Sequence, residues 1–497
     1  MAATTVQFLF PLLLLLLSSI LLASATSVNS DHDMKRCHKE CKAIIPEGRQ
    51  LKECVRQCVG RRSSERESRR DQQEGDEQDE ATDGRRREHN PYYFSRRSFR
   101  QWVRTKHGHL HVLERFSERS ELLLGVENYR LAYLEAEPKT FIVPSHWDAE
   151  QVIYVMQGHG TITLLDQENR DSYEIRRGDI MRIPAGSIVY AINEATDEKL
   201  RVAMLLHPIS TPGEVEEYIG AAGRNPETFY TSFSNEVLEA AFNTPRDKLE
   251  RLFGQQRSGQ IVKINDHQIR RLSRSTRRRG WAPFARSNEP YNLLNKRPSD
   301  CNQHGELYAA TAQDYHQLHH LNSDVYVVNI TQGSMMAPHY NSRSPQLAMV
   351  MEGTGYFEMV CPHDQSSEHH AQSTEESSTG YRTMRSRVSC GSAFVIPAGH
   401  PAAIVAAPNE NLQVLSFGLR ADSNTRYFLA GSNNVLNRME REAKELAFGV
   451  EAEEVDEVLN AQPESVFLPG PKHRRHREEE ERDAQTSLES LFSFLAF

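Results

Sequence analysis

Two segments of this chain carry one pattern. Gly178-Asp-Ile-Met-Arg-Ile-Pro184-Ala-Gly186 returns as Gly391-Ser-Ala-Phe-Val-Ile-Pro397-Ala-Gly399. Each copy follows a strand-like run ending in glycine, Val152-Ile-Tyr-Val-Met-Gln-Gly158 and Leu347-Ala-Met-Val-Met-Glu-Gly353. A repeat of this detail requires the same folding unit twice. Around each copy, short β-rich runs alternate with turn residues, among them Leu110-His-Val-Leu, Tyr129-Arg-Leu-Ala-Tyr and Gly160-Thr-Ile-Thr-Leu-Leu. That alternation predicts a mainly β chain of two tandem barrels or sandwiches.

The 497 residues leave room beyond the two units. Phe8 to Leu22 is almost wholly apolar and is followed by the small-residue site Ala23-Ser-Ala25, which reads as a signal peptide over 1–25. Secretory entry permits disulfides. Four of seven cysteines form Cys37-x3-Cys41-x12-Cys54-x3-Cys58, a spacing that puts each pair on one helical face. Over 26–59 an antiparallel helical hairpin favours Cys37–Cys58 and Cys41–Cys54 among the three connectivities, with a zinc site as the alternative. Residues 60–89 are charged and nearly devoid of apolar side chains, the composition of a disordered linker.

The first repeat unit spans 90–262 and the second 286–470, separated by a basic linker over 263–285. Each barrel is followed by helix-period segments. In the first unit, helical character begins at Thr211-Pro-Gly-Glu and continues through Ser234 to Phe242 and Thr244 to Phe253, with Gly254 as the stop. In the second, Ser432-Asn-Asn-Val-Leu436 matches Ser234-Asn-Glu-Val-Leu238, and helices continue through Arg438 to Phe448 and Ala452 to Leu459. A polar insertion, Asp364 to Gly380, interrupts the second barrel. Residues 471–497 form a charged tail ending in the apolar Leu491-Phe-Ser-Phe-Leu-Ala-Phe497.

The paired motifs resemble the two cupin motifs, which implies jelly-roll β-barrels. Asn90-Pro-Tyr-Tyr-Phe94, Gly333-Ser-Met-Met-Ala-Pro-His-Tyr-Asn-Ser342, Gly355-Tyr-Phe-Glu-Met-Val-Cys-Pro-His363 and Ile396-Pro-Ala-Gly-His-Pro401 resemble the vicilin-type 7S seed storage globulins over residues 90 to 470. The cysteine hairpin is similar to the leader of some larger vicilins and to α-hairpinin defence peptides. The resemblance implies a nutrient reservoir held in seed protein storage vacuoles. It also implies a homotrimer clasped by the helices after each barrel, with the C-terminal heptad as a sorting signal.

Enzymatic cupins hold a metal with two histidines, a glutamate and a third histidine. Counted from the motif glycines, the matching positions here are Pro144, His146, Gln151 and Val189 in the first barrel, and His339, Asn341, Gln346 and Ala402 in the second. Amides and aliphatic side chains replace such ligands badly. Cupin metal chemistry is therefore rejected, no enzyme is expected, and His146 and His339 are read as hydrogen-bonded barrel histidines.

A different set remains. Cys361 and His363 alternate on one strand face, and His400 follows the Pro-Ala-Gly turn. One thiolate with two imidazoles suits copper, and zinc less specifically. The vicilin resemblance implies copper there with a tyrosine added, Tyr92 or Tyr93.

Asn329-Ile-Thr331 is a glycosylation sequon. His107, His109 and His111 alternate and are read as a solvated face. Cys301 and Cys390 either pair or stay as buried thiols. The net charge of −9, with signs mixed, points away from nucleic acid. No stable membrane association is expected, although the released basic hairpin would suit anionic membranes. Two alternatives stand beside storage: a metal-dependent cupin enzyme acting on oxalate or superoxide, and a precursor of an antimicrobial or protease-inhibitor peptide.

Overall fold

The computed structural model describes residues 90–273, 288–362 and 381–471. The signal peptide, the Cys37–Cys58 and Cys41–Cys54 bridges, the charged linker, His363 with the polar insertion, and the tail from 472 lie outside these residues.

Each half is a barrel of two facing antiparallel sheets. In the first half, a seven-stranded sheet runs in the order Tyr291–Asn292, Asp179–Ile183, Ala149–Gln157, Leu200–Pro208, Arg130–Ala136, Gly108–Leu113, Phe99–Thr105. It faces a smaller sheet built on Thr140–Trp147, Ile188–Asn193, His159–Leu165 and Arg170–Arg176. The second half repeats the plan. Its larger sheet orders Tyr93–Phe94, Ala393–Ile396, Gln346–Glu352, Leu412–Leu419, Ser323–Ile330, Gly305–Ala310, Asp300–Asn302.

The two large sheets exchange their first strands. Tyr93–Phe94 precedes the first barrel in sequence, yet Tyr93 pairs with Phe394 and Phe94 with Ala393 of the second. Tyr291–Asn292 precedes the second barrel and pairs with Ile180 and Asp179 of the first. Phe94 is fully buried and meets Phe116 edge to face at 5.5 Å. Burying such a ring contributes about 2–3 kcal/mol, so the exchange is held by packing as well as by the ladder.

Both faces of the first large sheet are covered, which explains the unbroken apolar run Val152 to Val155. Ile153, Val155, Met181, Met204 and Leu206 fill the barrel. Their neighbours Val152, Tyr154, Ile180, Ala203 and Leu205 join a second core shared with Leu347, Phe394 and Phe417 of the other half. The strand period of two thus feeds two cores at once.

The motif glycines are forced by contact. Gly158 has φ +85° and a Cβ there would lie 2.4 Å from the Lys199 carbonyl oxygen; at Gly353, φ is +81° and the distance to the Asn411 oxygen is 1.9 Å. An L side chain fits neither the conformation nor the space.

The helices follow as expected at Asn235–Phe242 and Arg246–Gly254, and again at Arg441–Phe448 and Ala452–Leu459. Ser234 caps the first, accepting from Val237 N, and Asn243 ends it in the left-handed region. Three details differ from the sequence expectation. Thr211 to Tyr218 is not helical; Glu217–Tyr218 is a short strand paired with Trp147 and His146. The Ser432 repeat forms only a 3-10 turn, Val435–Arg438, after Asn434 caps it. Asp266–Ser273 is helical within the segment read as a basic linker. Among the described residues no helix is long and apolar enough to cross a membrane.

Candidate functional site

The exchanged strand brings three of the expected ligand residues together. Tyr92, just before Tyr93–Phe94, is tied down by its carbonyl, which accepts from Val395 N at 2.9 Å. Its buried ring meets His400 at 6.2 Å between centroids, and Cys361 is close enough to act on its hydroxyl. Burial, reinforced by Cys361, pushes Tyr92 up to about 12; burial likewise raises the Cys361 thiol. His400 Nδ1 lies 3.2 Å from the Ala398 carbonyl, which fits a protonated Nδ1. His400 Nε2 is buried and finds no partner among the described residues. The set is one sulfur, one phenol and one imidazole lone pair left open, a donor chemistry that fits a soft transition metal. Tyr93, the alternative, has its carbonyl accepting from Arg119 Nη2 at 3.0 Å. The fourth expected residue, His363, lies outside the described residues.

The matching cupin positions behave differently in the two barrels. In the first, Gln151 and Val189 line an interior cavity of about 90 Å³, together with Val103, Ile153, Ile175 and Met204. Pro144 and His146 do not line it. Ser145 and Trp147 take the inward places, and His146 stacks instead on Tyr218 at 5.1 Å. The reading of His146 as a hydrogen-bonded barrel histidine is therefore corrected. One acid lines the cavity. Glu217 accepts from Trp102 Nε1 at 3.1 Å and from Gln260 Nε2, while burial pushes its carboxyl up.

In the second barrel His339 is buried, its Nδ1 2.8 Å from the Ala337 carbonyl. Burial and the nearby Arg426 charge lower it to about 3, so it is neutral throughout the physiological range. Gln346 is engaged on both ends by Ser344 and Ser416. Asn341 and Arg426 face each other across paired strands. Asn341 Nδ2 and Arg426 Nε are both buried donors with no acceptor among the described residues. Arg426 also lies 4.7 Å over the Tyr326 ring. Glu217 and Arg426 were not singled out from sequence; neither stands in a motif, and only the barrel places them inward.

Other candidates are settled by their surroundings. His109 and His111 share a strand face but are half-buried, not solvated, because His111 stacks on Tyr133 at 5.0 Å. Cys301 and Cys390 are free and exposed, so they neither pair nor sit in a core; the Cys390 thiol donates to Met351 O at 3.1 Å. Asn329 lies in a strand paired on both sides, opposite Glu306 and Gln413. Glu445, Glu451 and Glu453 converge, but on a guanidinium. Arg441 reaches Glu445 at 2.9 Å and Glu453 at 2.6 Å.

Known proteins resemble this chain over most of its length. The Cupin family model matches residues 127–246 and 291–456, one segment in each half. Vicilin Jug r 6.0101 of Juglans regia is 44% identical over 486 residues, covering 93% of this chain and 97% of that protein. The crystal structure of vicilin from Corylus avellana superposes with a TM-score of 0.71 at 46% identity, covering 77% of this chain and all of that one. A vicilin from Solanum melongena, described as holding different anionic ligands in structurally similar pockets, gives 0.72 at 36% identity over 78% of this chain and all of its own.

Proposed function

The chain belongs to the vicilin-type 7S globulins of the cupin family, and from that premise we infer that it is a seed storage protein, a nutrient reservoir rather than a catalyst. The observation that carries the reading is the state of the two barrel interiors. At the positions where an enzymatic cupin places imidazoles and a carboxylate, the interiors hold Gln151, Val189, Asn341, Gln346 and Ala402 with His339 neutral and internally bonded, and the acid that lines the first cavity, Glu217, stands outside those positions. The chain's 47 arginines, against 12 lysines, suit a nitrogen store. Closely paired sheets resist proteolysis until loops are cut. Neither the metal-dependent enzyme nor the peptide precursor is favoured over storage. Quantifying the protein in seeds through germination tests the reading: it should fall steadily as seedlings grow, and a constant level would overturn it.

The finer reading places a homotrimer in the protein storage vacuole. The helices after each barrel support it, since Val237, Leu252, Leu446 and Val458 leave apolar surface uncovered in one chain. Head-to-tail contact between two such pairs closes a ring.

For the metal, Tyr92, Cys361 and His400 would hold a copper ion, with His363 as the expected fourth ligand. Copper bound there would add redox capacity to a reservoir. The chain's own part is to keep an imidazole lone pair open beside a thiol. The second barrel favours a further ligand. Two unpartnered donors, Asn341 Nδ2 and Arg426 Nε, call for an acceptor, and a small carboxylate would meet both. The anionic ligands of the Solanum melongena vicilin agree with this.

A further inference from the structure

His316–Leu321 is a 3-10 segment at the junction of the halves. Its inward residues fix it. Gln317, Leu318 and Leu321 are buried. The Tyr315 hydroxyl accepts from Arg182 N at 3.4 Å, and Gln317 Oε1 accepts from Arg182 Nη1 at 3.3 Å. Asn322, at φ 45°, closes the segment in the left-handed region.

The remaining ring-bearing positions, His316, His319 and His320, are all exposed. Among the described residues none of these imidazoles takes part in a hydrogen bond or an ion pair. Residues three apart eclipse in a 3-10 helix, separated by about 6 Å of rise. The His316 and His319 rings follow that geometry, 5.9 Å apart and within 16° of parallel. Burial first, then the Arg182 charge and to a lesser degree His316 and His319, lowers the basicity of His320.

We propose that His316 and His319, with His320 beside them, bind one divalent transition-metal ion, zinc or copper, at neutral pH. An ion about 2.0–2.1 Å from each nitrogen holds two donors roughly 3 Å apart. Binding therefore requires both exposed side chains to rotate about χ1 and χ2 from the stacked arrangement until their nitrogens reach that spacing. Water completes the coordination. The nearest cation does not forbid it, because the Arg182 guanidinium is already forked onto Glu150 at 2.8 and 2.9 Å. The site shares no residue with the Cys361 set and adds a second metal load to the storage reading.

The test is calorimetric titration with zinc of the full chain carrying Cys361→Ser, at about pH 7.5. It is repeated after adding His316→Ala and His319→Ala together. Both residues are exposed, and an unchanged thermal melt verifies the fold. The expected result is loss of one equivalent, or weakening by about tenfold or more, in the added pair. An identical titration in both proteins, or no zinc uptake by the parent, overturns the proposal.

Discussion

The Tyr326 hydroxyl donates a 2.9 Å hydrogen bond to Asp324, two residues earlier on the same strand, and both side chains are buried. Burial pushes the Asp324 carboxyl up to about 6. The folded chain therefore holds a proton that the unfolded chain releases near pH 4, and stability falls as pH rises through 4 to 6. Asp324→Asn keeps an acceptor and removes the titration. It should flatten that slope and raise stability at pH 7 by on the order of 3 kcal/mol. Urea unfolding across this range checks it; a variant with the parental slope contradicts the account.

His339 works in the opposite direction. It stays neutral when folded, with its basicity lowered to about 3, while the unfolded residue takes a proton near pH 6.5. Its contribution is present above about 6.5 and is lost as pH falls toward 3. His339→Gln should lose less stability between pH 6 and 4 than the parent, at some cost in packing at neutral pH. An unchanged acid limb in the same unfolding series would argue against this role.

On the proposed copper site, occupancy should depend on Cys361. Protein purified without chelators should carry about one copper per chain, and Cys361→Ser should abolish it. Elemental analysis decides. Tyr92→Phe should lower occupancy more than Tyr93→Phe, because the Tyr92 ring meets His400 and Cys361 acts on its hydroxyl. Equal occupancy in all four proteins would remove the site.

Assembly should fail when the helical apolar face is charged. Leu446 is 87% exposed in the single chain, so Leu446→Arg costs the fold little. Light scattering should give about three chains for the parent and one for the variant; a parent that is monomeric would refute the clasp.

The duplicated frame was legible because its glycines answer to backbone contact. Gly158 and Gly353 admit no other residue, so the motif repeats in full. The strand exchange was not legible. Tyr93–Phe94 makes a two-residue ladder, and its sequence reads the same whichever barrel receives it. Cys361 and His400 could be named from type and spacing, but choosing Tyr92 over Tyr93 needed the exchange to be seen. Glu217 and Arg426 stayed hidden because a charged residue in a short, irregular strand looks like surface until its neighbours are known. His146 and His339 looked alike in sequence and part company only when Ser145 and Trp147 claim the inward positions.

The reciprocal exchange makes the two halves behave like hooked links. A protease that severs the chain between residues 273 and 288 yields two fragments, each still carrying a strand seated in the other's sheet. Such a nicked molecule keeps its mass and its cores. Breakdown then becomes a threshold event: early cuts accumulate silently, and nitrogen is released only when the hooks themselves let go.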